Sequence, residues 1–142
     1  MFDVKEIMKF VPHRYPFLLI DRVTEFEANT TVTTLKNVTI NEAQFQGHFP
    51  SEPVFPGVLM VENMAQAACF LLAKSEGELD DSKVYFLGTV NKVKFFKPVV
   101  PGDQMITTVE LVKAVGSMAM VKAKVRVDGK MVAKAELAFS AS

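Results

Sequence analysis

Between Gly57 and Lys74 the chain has only four strongly polar residues, Glu62, Asn63, Gln66 and Lys74. This is the one long helical segment the sequence offers, and a helix apolar nearly all round must be covered on most sides. At ~1.5 Å per residue it would be about 27 Å long, enough to cross a small domain. Whatever else the chain forms has to wrap it. Glu62 and Gln66 stand four residues apart and share one face, which Cys69 continues.

The remaining segments suit that task. Asp3-Val4-Lys5-Glu6 has the spacing of a capping box, in which Asp3 accepts from the amide of Glu6 while Glu6 reaches back. A short helix through Ile7, Met8 and Phe10 follows, ended by Pro12. Strands are expected over 17–27, 31–40, 84–96, 104–115, 118–127 and 131–140. Asp128-Gly129 is a hairpin signal of the kind that takes positive φ. Ala119, Val121, Ala123, Val125 and Val127 alternate with Lys122, Lys124 and Arg126, which makes one strand face wet and the other buried. The fold class is α+β: a long antiparallel sheet curled round one buried helix, in one domain spanning 1–142.

Composition excludes several classes. Hydrophobic residues are 49% and charged residues 23% of the 142, a globular rather than a disordered profile. Glu62, Asn63 and Gln66 interrupt the longest apolar run, so no membrane span is expected. Asp3 and Glu6 near the start argue against a signal peptide. A lone cysteine, Cys69, cannot form an internal disulfide, which points to a reducing, cytoplasmic setting and to a packed small hydrophobe. Net charge is zero but uneven: residues 83–134 carry ten basic and three acidic side chains. Nucleic acid demands a larger overall excess with exposed aromatics. Lys122, Lys124 and Arg126 read either as a solvated strand face or as a docking surface for an acidic partner.

The segment Gly47-His48-Phe49-Pro50-Ser51-Glu52-Pro53-Val54-Phe55-Pro56-Gly57 runs straight into the long helix and holds one of only two histidines. Its prolines fix φ and restrict the residues before them, so the loop is stiff. A rigidly placed neutral imidazole in apolar surroundings suits a general base, whereas a histidine without that context is usually structural. Glu62 lies on a helix with almost no surface to offer. It must be either paired or held protonated, and a protonated acid can deliver its proton to a departing hydroxyl. Gly57 places a side-chain-free amide at a helix start, where no intrahelical acceptor exists and the macrodipole is positive. Read alone it is a plain Pro-Gly turn; beside His48 and Glu62 it is an oxyanion site. Two histidines and one cysteine cannot build an ordinary structural zinc site, and neither GxGxxG, the P-loop pattern nor GxSxG occurs.

Nearly the whole chain resembles the β-hydroxyacyl-acyl-carrier-protein dehydratases of the FabZ type. The resemblance is carried by the runs at 12–23, 36–42, 45–50, 55–59, 64–67, 97–104 and 127–130, among them Phe45-Gln46-Gly47-His48-Phe49-Pro50 and Phe55-Pro56-Gly57-Val58-Leu59. It implies a hot-dog fold and a dimer with joined sheets, commonly assembled as a trimer of dimers. It implies that His48 faces the glutamate at position 62 of a neighbouring protomer, and that the amides of Gly57 and Val58 bind the thioester oxygen. His13 matches a family position near the N-terminus, to which no chemistry is assigned. Tyr85 is similar to the residue that gates the acyl tunnel in relatives; as a bare residue it reads equally as a strand-face aromatic. Glutamate at 62, rather than the aspartate of the FabA type, favours dehydration alone and leaves isomerisation open.

The expected reaction is removal of water from a (3R)-3-hydroxyacyl thioester carried on the phosphopantetheine arm of acyl carrier protein, without metal or organic cofactor. Phe49, Phe55, Val58, Tyr85 and Phe86 are the expected tunnel liners. Lys92, Lys94, Lys97, Lys122 and Arg126 are the expected contacts for the carrier protein. A hot-dog acyl thioesterase and a non-catalytic acyl-binding scaffold are the competing readings. The first lacks need of the His-Phe-Pro loop, and the second would not need both His48 and Glu62.

Overall fold

The computed structural model describes residues 1–77 and 83–142. Asp3 caps the helix α1 (Val4–Phe10), its Oδ1 accepting from the Glu6 amide at 3.1 Å. The reciprocal half of the expected capping box is not made. The Glu6 carboxylate instead reaches Lys9 at 3.1 Å and Lys74 at 3.4 Å, since two cations compete better than one backbone amide.

The long helix, α2, runs over Gly57–Glu76 and ends at Gly77, whose φ of 81° lies in the left-handed region favoured by glycine at such a position. Around it are the strands β1 (Arg22–Glu27), β2 (Thr31–Asn37), β3 (Tyr85–Phe95), β4 (Gln104–Val115), β5 (Met118–Val127) and β6 (Lys130–Ala141). They pair antiparallel in the order β1-β2-β4-β5-β6-β3. The β5–β6 hairpin turns through Asp128 at φ 52° and Gly129 at φ 78°, as the sequence predicts. In β5 the residues Ala119, Val121, Ala123 and Val125 are buried, while Lys122 and Lys124 are exposed.

Two expected strands are shorter than their apolar patterns. The segment expected as strand from Phe17 enters the sheet only at Arg22, because its backbone groups are taken by side chains of α2. Gln66 Nε2 donates to the Phe17 carbonyl at 2.7 Å, Gln66 Oε1 accepts from the Leu19 amide at 2.7 Å, and Asn63 Nδ2 donates to the Leu19 carbonyl at 2.7 Å. β2 stops at Asn37 because Val38 bonds to the turn before β4, its amide to Asp103 O at 2.9 Å and its carbonyl to Gly102 N at 2.8 Å.

α2 lies against β2, β3, β4, β5 and β6 and meets α1 at its other side. Met64, Ala67, Ala68, Phe70 and Leu71 are wholly buried. Phe70 anchors an aromatic cluster, with ring centroids 5.6 Å from Phe2, 5.6 Å from Phe10 and 5.9 Å from Phe26. β3 is an edge strand of a different kind. Phe86, Leu87, Val90 and Phe95 are all exposed, on both of its faces. No described helix is long and apolar enough to cross a membrane.

The buried carboxamide of Asn63 also accepts from the Thr107 hydroxyl at 2.6 Å, so it joins the N-terminal segment, α2 and β4. Asn63→Leu leaves the Leu19 carbonyl and the Thr107 hydroxyl without that partner, at a cost of about 1–3 kcal/mol for each orphaned group. Urea denaturation is expected to show a clearly lower midpoint with an unchanged slope; an unaltered midpoint would mean that the three-way junction contributes nothing.

Candidate active site

His48 sits where a single 3-10 turn (Ala43–Gln46) gives way to the proline-bearing loop. Its amide donates to Gln44 O at 3.0 Å, and its carbonyl accepts from Val54 N at 3.0 Å, so the backbone is held on both sides. The ring stacks on Phe49 with centroids 4.1 Å apart. His48 Nδ1 lies 2.7 Å from the Val54 carbonyl oxygen. A carbonyl has no proton to give, so Nδ1 carries the hydrogen and donates it. In the neutral ring Nε2 is then left with its lone pair, which is the form a proton acceptor requires. The loop fixes the tautomer as well as the position.

Glu62, one turn into α2, is paired and half-buried. Its Oε2 accepts from Gln66 Nε2 at 2.9 Å and lies 3.4 Å from His13 Nε2. His13 comes from the segment after α1. Its match to a family position near the N-terminus singles it out in the sequence, but no periodicity links positions 13 and 62, so its approach to Glu62 is not readable there.

At the start of α2 the preceding Pro56 offers no side-chain cap, and the amides of Leu59 and Met60 turn back to its carbonyl at 3.0 and 3.2 Å. Among the described residues the Gly57 and Val58 amides meet no backbone acceptor. They are free to bind an anionic oxygen, with the helix dipole adding to the pull. The glycine is needed for a packing reason too. A Cβ at Gly57 would stand 3.1 Å from the Phe95 ring, which closes over that position from β3.

Among the described residues His48 and Glu62 make no hydrogen bond or ion pair with each other. His48 is tied to Val54, and Glu62 to Gln66 and His13. Of the expected tunnel residues, Phe49, Val58 and Phe86 are exposed, while Phe55 is buried in the core 6.2 Å from Phe45. Tyr85 is half-buried, and its hydroxyl donates to Glu76 at 2.7 Å; burial first, then that carboxylate, push its pKa well up. Of the expected basic contacts, Lys92 and Lys122 lie 3.4 and 4.0 Å from Glu136 on the outer sheet face. Lys124 and Lys134 join them around a shallow cleft of about 250 Å³. Lys94 pairs in register with Lys134, Arg126 stands half-buried opposite Met131, and Lys97 is exposed beyond the end of β3. A second cleft, of about 700 Å³, is lined by Arg14, Tyr15, Asp21, Lys36 and Glu42 among others, and neither His48 nor Glu62 belongs to its lining. Among the described residues no three of His, Cys, Asp or Glu gather as they would to hold a metal ion.

The fold is a hot-dog fold. The chain superposes on a hot-dog-like protein from Thermanaerovibrio acidaminovorans with a TM-score of 0.65 at 19% identity, covering 82% of this chain and 84% of the other. On a chain of the dehydratase heterocomplex of Xenorhabdus doucetiae the TM-score is 0.78 at 17% identity, over 94% and 89%. The chain belongs to the FabA-like family, whose domain description matches residues 11–136. It is 50% identical over 135 residues to the 3-hydroxyacyl-[acyl-carrier-protein] dehydratase FabZ of Vibrio atlanticus, covering 95% of this chain and 90% of that protein.

Cys69 is the remaining nucleophile near the site. It is buried, and its Sγ lies 3.6 Å from the Phe10 carbonyl. Burial first, and the Glu62 carboxylate second, push its pKa up to about 12. The folded state therefore holds this proton more tightly than the unfolded chain, so the group's contribution to stability is lost as pH rises from about 9 through about 12. Tyr85, also raised, acts in the same direction. Cys69→Ala is expected to flatten the fall of stability above pH 9, and a thiol reagent at neutral pH should label Cys69 only after denaturant is added. Rapid labelling of the folded protein would contradict this placement.

Proposed function

We infer that this chain is a 3-hydroxyacyl-[acyl-carrier-protein] dehydratase, a hydro-lyase that forms a trans-2-enoyl thioester. The observation that carries the reading is the His48 Nδ1 to Val54 oxygen bond of 2.7 Å, which leaves Nε2 as a ready base. His48 takes the α-proton of a (3R)-3-hydroxyacyl thioester. The electron pair moves onto the thioester oxygen, steadied by the Gly57 and Val58 amides. Collapse of the enolate expels the β-hydroxyl, which leaves as water with the proton from Glu62. The 50% identity to a curated dehydratase over nearly the full chain supports the same reaction.

The base and acid of one site come from two protomers, with His48 facing Glu62 of the partner subunit. Two observations support this. Each group is engaged with other partners in its own chain. The outer edge of β3 carries exposed Phe86, Leu87, Val90 and Phe95, an apolar edge suited to pairing with a second copy. The assembly is thus at least a dimer, and a trimer of dimers continues the same logic. Each copy is one dehydratase domain over 1–142, and the setting is cytoplasmic, where a lone thiol stays reduced.

The acyl chain lies along α2 among Phe49, Val58, Phe86 and Tyr85, with Phe55 behind them, each buried methylene contributing about 0.8 kcal/mol. Acyl carrier protein docks on the lysines of the outer sheet face, where Lys92, Lys122, Lys124 and Lys134 outnumber Glu136. Lys94, Lys97 and Arg126 extend that surface.

Positioned acid–base groups contribute about 10²–10⁴-fold each. His48→Ala is expected to lose that much dehydration of 3-hydroxyacyl carrier protein, followed by mass spectrometry of the products, and near-normal turnover by a folded variant would refute its role. Release of free thiol instead of enoyl product would point to a thioesterase, and absence of crotonyl-thioester hydration to a scaffold. Affinity for the carrier protein is expected to weaken as salt rises; salt-independent binding would argue against the lysine surface.

A further inference from the structure

His48 is braced within its own loop, but that bracing does not say where the loop stands on the rest of the molecule. The backbone hydrogen bonds of residues 42–54 stay within the segment. Phe45 N donates to Glu42 O at 3.2 Å, His48 N to Gln44 O at 3.0 Å and Val54 N to His48 O at 3.0 Å, while Phe49 and Glu52 bond to each other. Phe45 anchors the segment by packing, its buried ring 6.2 Å from that of Phe55. Apolar contact is non-directional, so it sets the depth of the loop and leaves its direction loose. Among the described residues, the polar ties from this segment to the rest of the chain all run through the side chain of Glu42.

Glu42 Oε2 accepts from the Thr39 amide at 2.8 Å, and Oε1 forms an ion pair with Lys36 Nζ at 2.7 Å. Oε1 also accepts from Gln44 Nε2 at 3.1 Å, and the Gln44 carbonyl in turn takes the His48 amide. Lys36 comes from β2 and is buried. Its ammonium lies 5.9 Å from the centroid of the Phe55 ring, within cation–π range. Phe55 is the far foot of the loop, next to Val54, with its amide bonded to Val99 O at 2.7 Å. One buried cation on the sheet thus meets both feet of the loop that carries His48. A buried ion pair is a poor source of stability, since apolar residues of similar volume often serve as well or better.

We propose that Lys36 and Glu42 are positioning residues for His48. Their ion pair clamps the Gln44–His48 arm of the loop against the Val54–Phe55 arm, and so keeps the His48 Nδ1–H on the Val54 carbonyl and Nε2 in place to take the α-proton. Neither residue makes a hydrogen bond or ion pair with His48; they act through Gln44 and Phe55. The proposal rests on the dehydratase reading of His48 as the base.

The test uses three variants of the full chain. Lys36→Met keeps much of the side chain's length and removes its charge, and Lys36→Arg restores a cation. Lys36→Met combined with Glu42→Gln leaves no unpaired charge in the interior. For Lys36→Met kcat is expected to fall about 10–100-fold, because misplacing a reacting group by about 1 Å costs up to about 10²-fold. KM should change little, as no proposed contact to the acyl chain or carrier protein is removed. Lys36→Arg should recover most of the loss, and the double variant should melt close to wild type yet stay slow. In protein with nitrogen-labelled histidine, the His48 Nδ1–H should resist solvent exchange in wild type and Lys36→Arg, and exchange faster in the other two.

Wild-type kcat in the double variant overturns the proposal, because the pair then neutralises only its own charges. So does an unchanged Nδ1–H exchange in that variant, a failure of the double variant to fold, or an arginine that restores melting temperature without kcat. Should Lys36→Met alone not fold, the double variant gives the same readings. A wild-type protein that dehydrates no 3-hydroxyacyl carrier protein refutes the proposed function instead, and the Nδ1–H exchange then still decides whether the ion pair holds the loop.

Discussion

The buried carboxamide of Gln66 is the contact on which the rest of the structure turns. It sits in the middle of a helix whose other buried faces are apolar and would pack almost as well after a small rotation. Apolar contact is non-directional, whereas an unpaired carboxamide in that core costs several kcal/mol on the least forgiving transfer scales, roughly 4–8. Gln66 finds partners in one orientation of α2, that in which Phe17 and Leu19 cross it and Glu62 stands one turn earlier. Asn63 repeats the logic toward Leu19 and Thr107. Two polar side chains thereby fix the roll of the helix, and with it the direction in which Glu62 points.

That arrangement explains which parts of the fold were legible in the sequence. β4 and β5 begin and end where their patterns predict, because both are sheet strands with one wet face, and the register shifts at Leu111–Lys113 and Val125–Arg126 interrupt the alternation without ending the pairing. Phe17 to Leu19 carries the same apolar signature yet is no strand, since its hydrogen bonds go to side chains distant in sequence. Pattern reading detects which residues are buried and misses what satisfies their backbone. The half-made capping box fails in part for a related reason: of the two lysines that draw Glu6 away, Lys9 is local, but Lys74 is brought close only by the docking of α1 on α2.

The site divides in the same manner. The surroundings of His48, the proposed base, were readable because backbone sets them, through a stiff loop, a carbonyl that selects the tautomer and a helix start with open amides. Prolines and glycines announce such geometry in the sequence itself. The surroundings of Glu62, the proposed acid, are set by side chains from separate segments, and so the approach of His13 to Glu62 left no local trace. Substitutions around His48 act on a loop braced by its own backbone, while those around Glu62 act on a shared cluster in which each removal frees another group.

Phe95 links these local arrangements to assembly. It lies on the edge strand β3, partly exposed, yet its ring also closes over Gly57, where any side chain would meet it at 3.1 Å. The open amides at the head of α2 are therefore packed against the strand whose free apolar edge invites a second copy. Pairing of that edge would remove water from Phe86, Leu87 and Val90 and, through Phe95, confine the pocket beside Gly57 and Val58. A lower local dielectric strengthens the pull of those amides on a developing enolate. In the proposed two-chain site, the contact that would join the protomers would also make the oxyanion pocket effective, so association and catalysis would draw on the same side chain.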